Sequence, residues 1–531
     1  MAHDLLLADA RVVDGTGAPW YRGHVGIDDG RIDAVYRGEP GSAEERIDLD
    51  GDVVAPGFID AHSHSDLELF ANPSLQPKIR QGITTEILGQ DGFSMAPMYR
   101  DDGAARWEDH LSGLDGRLDR EWEWGSMDEY MAAIEDNGIA PNVAPLVGHG
   151  TVRFNVLGMA DDAPTAGERE EMAELVRESL DDGAVGLSTG LVYAPQYHAS
   201  TAEVRAMAEA LAPYGRPFVA HIRDERLDIW DAMDEFADIG AETGVPLHHS
   251  HFKVVGPLQS GKADRAVELV EVARERGIDY LGDMYPYRAG STMLSALLPP
   301  WAVAGSTSET LDRLRDPETR TEIRRDVEEW RLEDWHNPGK YIGWDAVVIA
   351  SVGPGGDESV VGETVAAVAE DRDVDPVEAV CDVLLETELD ATMTLHQLEE
   401  DDVRTVVQAE RICIGTDGIF GGGKPHPRLY GTYPRVLETY VREENLLTLE
   451  AAVRKMTSLP ARSFGLDQKG LVRPGMDADL VVFDPTFIGT TATYESPRRY
   501  PEGLPHVIVG GEFVVRDGES TGALPGAVVR A

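Results

Sequence analysis

Residues 57–66, GFIDAHSHSD, place two histidines two positions apart behind the apolar run VVAPGFI. On a strand, positions i and i+2 share one face and stand about 6–7 Å apart. The imidazoles of His62 and His64 can therefore converge on one ion, at metal–nitrogen distances near ~2.1 Å. A surface pair at a strand end carries the same spelling. What the remaining sequence brings alongside decides between the two.

Seven further apolar runs end in polar or glycine residues: TTEILG, NVAPLVG, AVGLSTG, PFVAHIR, PLHHSHF, YLGDMYP and ICIGTDG. Helical patterns lie between several of them, including AGEREEMAELVRESLDDG, TAEVRAMAEALAPYG and ADRAVELVEVARERG, each closing near a glycine. Strand-then-helix repetition of this length predicts a parallel sheet closed as a (β/α)8 TIM barrel, an α/β fold. Both ends read differently. Short alternating segments punctuated by DG and GD dipeptides predict hairpins that build one small β-sandwich from the two termini. The expected organisation is a sandwich part over 1–56, a metal-dependent barrel over 57–468 with an insertion near 297–341, and the second sandwich part over 469–531.

With 47 basic and 96 acidic residues the formal charge is −49, and only seven of the bases are lysine. Such a surface repels nucleic acid and anionic membranes, so neither is an expected partner. It also strains the compact state unless salt screens it, and at molar salt the Debye length is roughly 3 Å. A high-salt cytosol, as in a halophile, is the expectation. No long apolar window, no leader-like start and only two cysteines, Cys381 and Cys413, agree with a cytoplasmic enzyme whose thiols are reduced.

In a barrel, functional groups gather where strands end. His221 closes PFVAHIR, His251 lies at the end of PLHHSHF and Asp417 ends ICIGTDG. Taken singly, each histidine is more often a satisfied or surface residue than a ligand, and a lone TDG is usually just a turn. Together, four histidines and an aspartate are what a one- or two-metal hydrolytic centre requires, and the donor set suits Zn²⁺. A carboxylate beside an activated water can take its proton and pass it to a leaving nitrogen. Asp417 is the candidate for that role.

The motifs also carry a resemblance. VVAPGFIDAHSHSD and GLVRPGMDADLVVFDP resemble the amidohydrolase superfamily. GHGTVR (148–153), GAVGLSTGLVYAP (183–195), HIRDE (221–225), SHFK (250–253), DMYPYRAGST (283–292), IGTDG (414–418) and HPRLYGTYPRVL (426–437) resemble its N-acyl-D-amino-acid deacylase (D-aminoacylase) family. The resemblance spans nearly the whole chain. It implies a barrel with a two-terminus sandwich, His62 and His64 at one metal site, His221 and His251 at the adjoining one, and Asp417 as base. It further implies that Arg428, Lys253, Tyr285 and Ser291 hold the substrate's α-carboxylate, a role that an arginine fork and added donors suit. D stereochemistry comes from the resemblance alone.

One position departs from the family pattern. The second strand of these deacylases typically ends in Asn-Cys-Gly with a cysteine ligand, and here Gln90-Asp91-Gly92 stands in its place. Asp91 as an oxygen ligand admits Mn²⁺ or Co²⁺ beside Zn²⁺; as a turn residue it leaves the metal to histidines. Glu86 on the same strand is a lesser candidate, and His149 and His249 stay outside the ligand set. Arg288 either selects acidic substrates or points to solvent. Two other readings remain open: a dipeptidase or hydantoinase-like cyclic amidase, against which the scarcity of lysine counts, and a non-catalytic scaffold on the same fold.

Overall fold

The computed structural model describes residues 3–118, 120–332, 335–353 and 355–531. Eight short strands form the centre: Phe58–Asp60, Ile83–Leu88, Asn142–Pro145 continued by Val147–Gly148, Leu187–Gly190, Phe218–His221, Leu247–His249, Tyr280–Met284 and Ile412–Ile414. Neighbours run parallel in chain order. The broken third strand joins both sides, since Leu146 N–H donates to the Leu88 carbonyl and Val147 N–H to the Gly186 carbonyl, each at 3.0 Å. The ring closes where Asp417 N–H donates to the His62 carbonyl at 2.8 Å and Ser63 bridges Gly418.

Alternation along each strand divides the apolar side chains between two layers. Ile59, Ile87, Ala144, Val219, Leu281 and Cys413 fill the barrel with Leu459 and Phe464 of the helix Ser458–Phe464. Phe58, Phe218, Ala220, Ile412 and Ile414 pack in the layer shared with the surrounding helices. Burial on both faces is why these strands read as unbroken apolar runs. The strand ends are then the positions left for polar groups.

Strands from both ends of the chain build one nine-stranded sheet in which Val53–Pro56 pairs antiparallel with Leu480–Phe483. Leu5, Leu7, Val25, Ile27, Val482 and Ile508 form its own core. This sheet passes directly into the barrel, because Pro56 ends its last N-terminal strand and Phe58 starts the first barrel strand.

The departure from barrel rhythm is longer than the stretch 297–341 that sequence singles out. Between the seventh and eighth barrel strands, Ala289–Met293, Val347–Val352 and Ala391–His396 form a separate antiparallel sheet with Ala391–His396 in the middle. Helices Thr307–Arg315, Pro317–Glu329 and Pro376–Glu386 cover it around a second core that includes Leu314, Ile323, Cys381 and Met393. Cys381 and Cys413 are both free and buried. Among the described residues no helix is long and apolar enough to cross a membrane.

Beneath the barrel, Lys455 is buried, pairs with no carboxylate among the described residues, and donates from its ammonium to the carbonyls of Ala409 and Ile412. Burial lowers its pKa to about 7. A depressed lysine stabilises the fold fully only above its unfolded value and loses that contribution as pH falls towards the folded one. Relative to the wild type, Lys455→Met is therefore expected to be most stable at pH 7 and below. Its advantage should shrink by about 1.4 kcal/mol per unit between roughly pH 7 and 10. Denaturant unfolding of both proteins across that range checks this, and a pH-independent difference would contradict it.

Candidate metal centre

The barrel mouth gathers the predicted side chains. His62 and His64 lie just past the first strand, in the segment that closes the ring against Gly418, and their ring centroids are 5.3 Å apart. Asp91 sits in the turn Gln90–Gly92 after the second strand, His221 ends the fifth, His251 follows the sixth and Asp417 the eighth. Three of these hold left-handed backbone: Asp91 at φ 55°, His251 at φ 36° and Asp417 at φ 49°. Such conformations cost of order 1–3 kcal/mol each and persist where surroundings impose them.

Asp91 is the common neighbour. Its Oδ1 lies 3.8 Å from His62 Nε2, 3.9 Å from His221 Nδ1 and 3.6 Å from His251 Nε2; its Oδ2 lies 3.9 Å from His64 Nε2. Asp417 Oδ1 faces His64 Nε2 at 3.3 Å and His62 Nε2 at 3.8 Å. Three overlapping triads result, His62–His64–Asp91, His62–His251–Asp417 and Asp91–His221–His251, each with ligand atoms within 4.8 Å of one another.

These groups fit a divalent cation. All six are buried, yet among the described residues the inward-facing His62 Nε2, His64 Nε2, His221 Nδ1 and Asp91 Oδ1 have no hydrogen-bond partner. Burying such atoms unsatisfied costs about 1–3 kcal/mol apiece, and lone pairs converging from several sides are what a cation satisfies. Nitrogen and carboxylate donors suit Zn²⁺ and also Mn²⁺ or Co²⁺.

A surrounding layer of carboxyl groups faces the outer edges of the rings. Glu225 Oε1 is 3.1 Å from His251 Nδ1, and its Oε2 is 3.7 Å from His221 Nε2. Asp283 Oδ2 is 3.6 Å from His62 Nδ1 and 2.9 Å from His248 Nε2, while Asp283 Oδ1 accepts the His251 N–H at 3.0 Å. Asp115 Oδ1 is 3.8 Å from His64 Nδ1. None of the three was singled out by sequence. Glu225 and Asp283 lie inside HIRDE and DMYPY, so motif membership was an available signal, whereas Asp115 offered none.

Electrostatics keep the inner carboxylates ionised. Burial works to raise Asp417, but the Arg428 guanidinium beside it, with His62, His64 and His251, holds it well below the usual carboxylate range. Burial likewise opposes ionisation of Asp91, and His62, His221 and His251 outweigh it.

The residues expected to hold the substrate form one patch. Lys253, Tyr285 and Ser291 line the cavity that also exposes His64, Asp91, His221, His251 and Asp417. Lys253 Nζ donates to Glu225 Oε1 at 2.5 Å. Arg428 stands behind this surface, fully buried: Nη1 is 2.8 Å from Asp417 Oδ2, Nη2 donates to the Ser291 carbonyl at 3.0 Å, and the guanidinium lies 4.5 Å from the Tyr285 ring centroid. Arg288 points outward, 57% exposed and 3.9 Å from Glu399.

The remaining candidates have structural partners. His149 contacts Thr189 and Glu203, and His249 contacts Tyr280. Glu86 accepts from Ser63 and Ser65. Lys78, buried behind the first strand, donates to Asp60, Ser63 and Thr416 at 2.7, 2.8 and 3.0 Å.

Comparison with known proteins agrees with this geometry. Residues 45–515 match the model of the amidohydrolase family. The chain belongs to the amidohydrolase family. Within it, the chain is 34% identical to a D-aminoacylase of Alcaligenes xylosoxydans xylosoxydans, over 99% of this chain and 97% of that one. It is equally identical to an N-acyl-D-glutamate deacylase of the same organism, over 96% and 93%. A Bordetella bronchiseptica N-acyl-D-glutamate deacylase, solved with zinc and a phosphonate mimic of the tetrahedral intermediate, superposes with a TM-score of 0.84 at 32% identity, covering 100% of both chains. An Arthrobacter aurescens L-hydantoinase, at 16% identity and a TM-score of 0.58, shares the amidohydrolase fold.

Outer carboxylates that fix ligand rings typically carry 10–100-fold of metal affinity. Glu225→Gln is accordingly expected to weaken Zn²⁺ binding by about 10–100-fold, read by competition with a chromophoric chelator. Unchanged affinity would show that Glu225 serves Lys253 alone.

Proposed function

We propose that the chain hydrolyses the amide bond of N-acyl-D-amino acids, releasing a carboxylate and the free D-amino acid. One observation carries this reading: four imidazoles and two carboxylates, four of the six residues with unmet ligand atoms, converge beside a cavity lined by Lys253, Tyr285 and Ser291. Similarity to D-aminoacylase along the full chain supports it.

His62, His64, Asp91 and Asp417 would hold one ion, and His221 and His251, with Asp91 shared, a second. Zn²⁺ is the proposed metal, with Mn²⁺ or Co²⁺ as alternatives. When bound, it supplies Lewis acidity, bringing the pKa of water towards ~7 and polarising a carbonyl oxygen.

The chain's own residues do the remaining work. The Asp417 carboxylate accepts the proton of the attacking water and delivers it to the departing nitrogen. Lys253, Arg428 and the Tyr285 and Ser291 hydroxyls hold the α-carboxylate. Burial raises the Tyr285 phenol well above its usual pKa, so it stays a donor at neutral pH. Fixing the α-carboxylate there would keep the amide carbonyl over the ligand residues.

Chelator-stripped protein, reloaded with Zn²⁺, Mn²⁺ or Co²⁺ in molar salt, should release D- but not L-amino acids from N-acetyl derivatives. Asp417→Asn should lower kcat by about 10²–10⁴-fold. Silence across the panel with metal bound would sink the deacylase reading, and equal turnover of L derivatives would sink its stereochemistry.

We further place the protein in a high-salt cytosol, on the strength of its −49 formal charge. Its unfolding midpoint should rise between low salt and molar KCl as self-repulsion is screened. Equal midpoints would remove the argument.

A further inference from the structure

A second cavity opens off the one at the metal centre, and the two share Val192, Tyr193, Ala296 and Trp335. At the junction the Tyr193 ring meets the His221 ring edge-on, 5.3 Å between centroids, and its hydroxyl lies 3.0 Å from Thr292 Oγ1. The second cavity thus begins one side chain away from the candidate ligands. Beyond Tyr193 its walls include Phe154, Met159, Met293, Leu298, Val303 and Leu389. Its charged lining is already engaged: Asp109 pairs with Arg117, and the Arg106 guanidinium lies 5.7 Å from the Phe154 ring centroid. An apolar space joined to a polar centre is suited to the hydrocarbon part of a substrate.

Its place around the barrel decides which part. On its barrel side, helix Gly103–Asp115 comes after the second strand, helix His149–Leu157 after the third and Val192–Ala194 after the fourth, while the excursion after the seventh strand, from Met293 to Leu389, reaches over to form the outer wall. Lys253, Tyr285 and Arg428 come after the sixth, seventh and eighth strands, across the mouth. In an N-acyl amino acid the scissile carbonyl carbon stands between the α-carboxylate and the acyl group. With the carboxylate over strands six to eight and the amide at the centre, the acyl group points towards strands two to four.

From this we infer that the second cavity is an acyl-chain subsite, and that the enzyme favours medium-length aliphatic or aromatic acyl groups over acetyl. The inference rests on the deacylase reading and deepens it.

The test is kcat/KM of the metal-loaded enzyme for N-acetyl-, N-butanoyl-, N-hexanoyl- and N-octanoyl-D-leucine. A parallel series varies the side chain at constant acetyl: D-alanine, D-norvaline and D-norleucine. Each methylene buried in the subsite should raise kcat/KM about fourfold (~0.8 kcal/mol), giving about two orders of magnitude from acetyl to hexanoyl. Val303 and Thr307 line only the second cavity. Val303→Trp, and independently Thr307→Trp at its rim, should cut the hexanoyl gain at least about tenfold while N-acetyl turnover stays within about twofold. A flat acyl series with brisk N-acetyl hydrolysis overturns the subsite and leaves the deacylase reading standing. Tryptophan variants that alter only the side-chain series also overturn it. No hydrolysis of any substrate by metal-loaded protein overturns both.

Discussion

The Asp91 carboxylate is the constraint around which the mouth of this barrel is built. It is buried within 3.6–3.9 Å of nitrogens from four histidines on three different strand ends. A carboxylate in that position repays its desolvation only if positive charge surrounds it. The strands deliver the histidines, and most of the nitrogens facing Asp91 lack partners of their own. The cluster is therefore a set of lone pairs arranged for a cation. Left-handed backbone at Asp91, His251 and Asp417 follows from the same demand, since the chain must turn sharply at each strand end to aim the side chain inward.

That demand spreads outward in layers. Glu225, Asp283 and Asp115 face the outer ring nitrogens, leaving the inner ones to converge. Arg428 and Lys253 then balance the negative charge. Each is buried against a carboxylate of this network, Arg428 with Asp417 and Lys253 with Glu225. Lys253, Glu225 and Asp417 border the cavity and Arg428 stands directly behind Asp417, so the cations that balance this network are also the ones proposed to hold a substrate carboxylate.

Much of this was legible in the sequence. All eight barrel strands appear as apolar runs with polar ends, because burial on both faces removes alternation, and His62, His64, His221, His251 and Asp417 stand at those ends. The excursion after the seventh strand was legible only in its acidic helices. VVIASV (347–352) and ATMTLH (391–396) have the same apolar look as a barrel strand, and AGSTM (289–293) has no pattern, so pairing among the three depends on contacts distant in sequence. The orienting carboxylates were hidden for a different reason. In a chain with 96 acidic residues, nothing local distinguishes Asp115 from the acids of a solvated face, and Glu225 stands out only through the HIRDE motif.

The absence of sulfur from the centre bears on how the metal is selected. Cys413 points into the barrel core and Cys381 into the core of the excursion; burial pushes both thiols up, Cys381 to about 12. Neither can offer a thiolate near neutral pH. The six residues gathered at the mouth thus offer only imidazole nitrogens and carboxylate oxygens. Without a soft ligand, affinity among divalent ions is graded by geometry and by the rigidity of the donors. Rigidity is where this chain has invested: His62 and Asp417 are tied by the backbone hydrogen bond that closes the barrel. His251 is held through its backbone by Asp283, the carboxylate that also faces His62. The closure of the fold and the spacing of the ligands are thus set by the same few bonds.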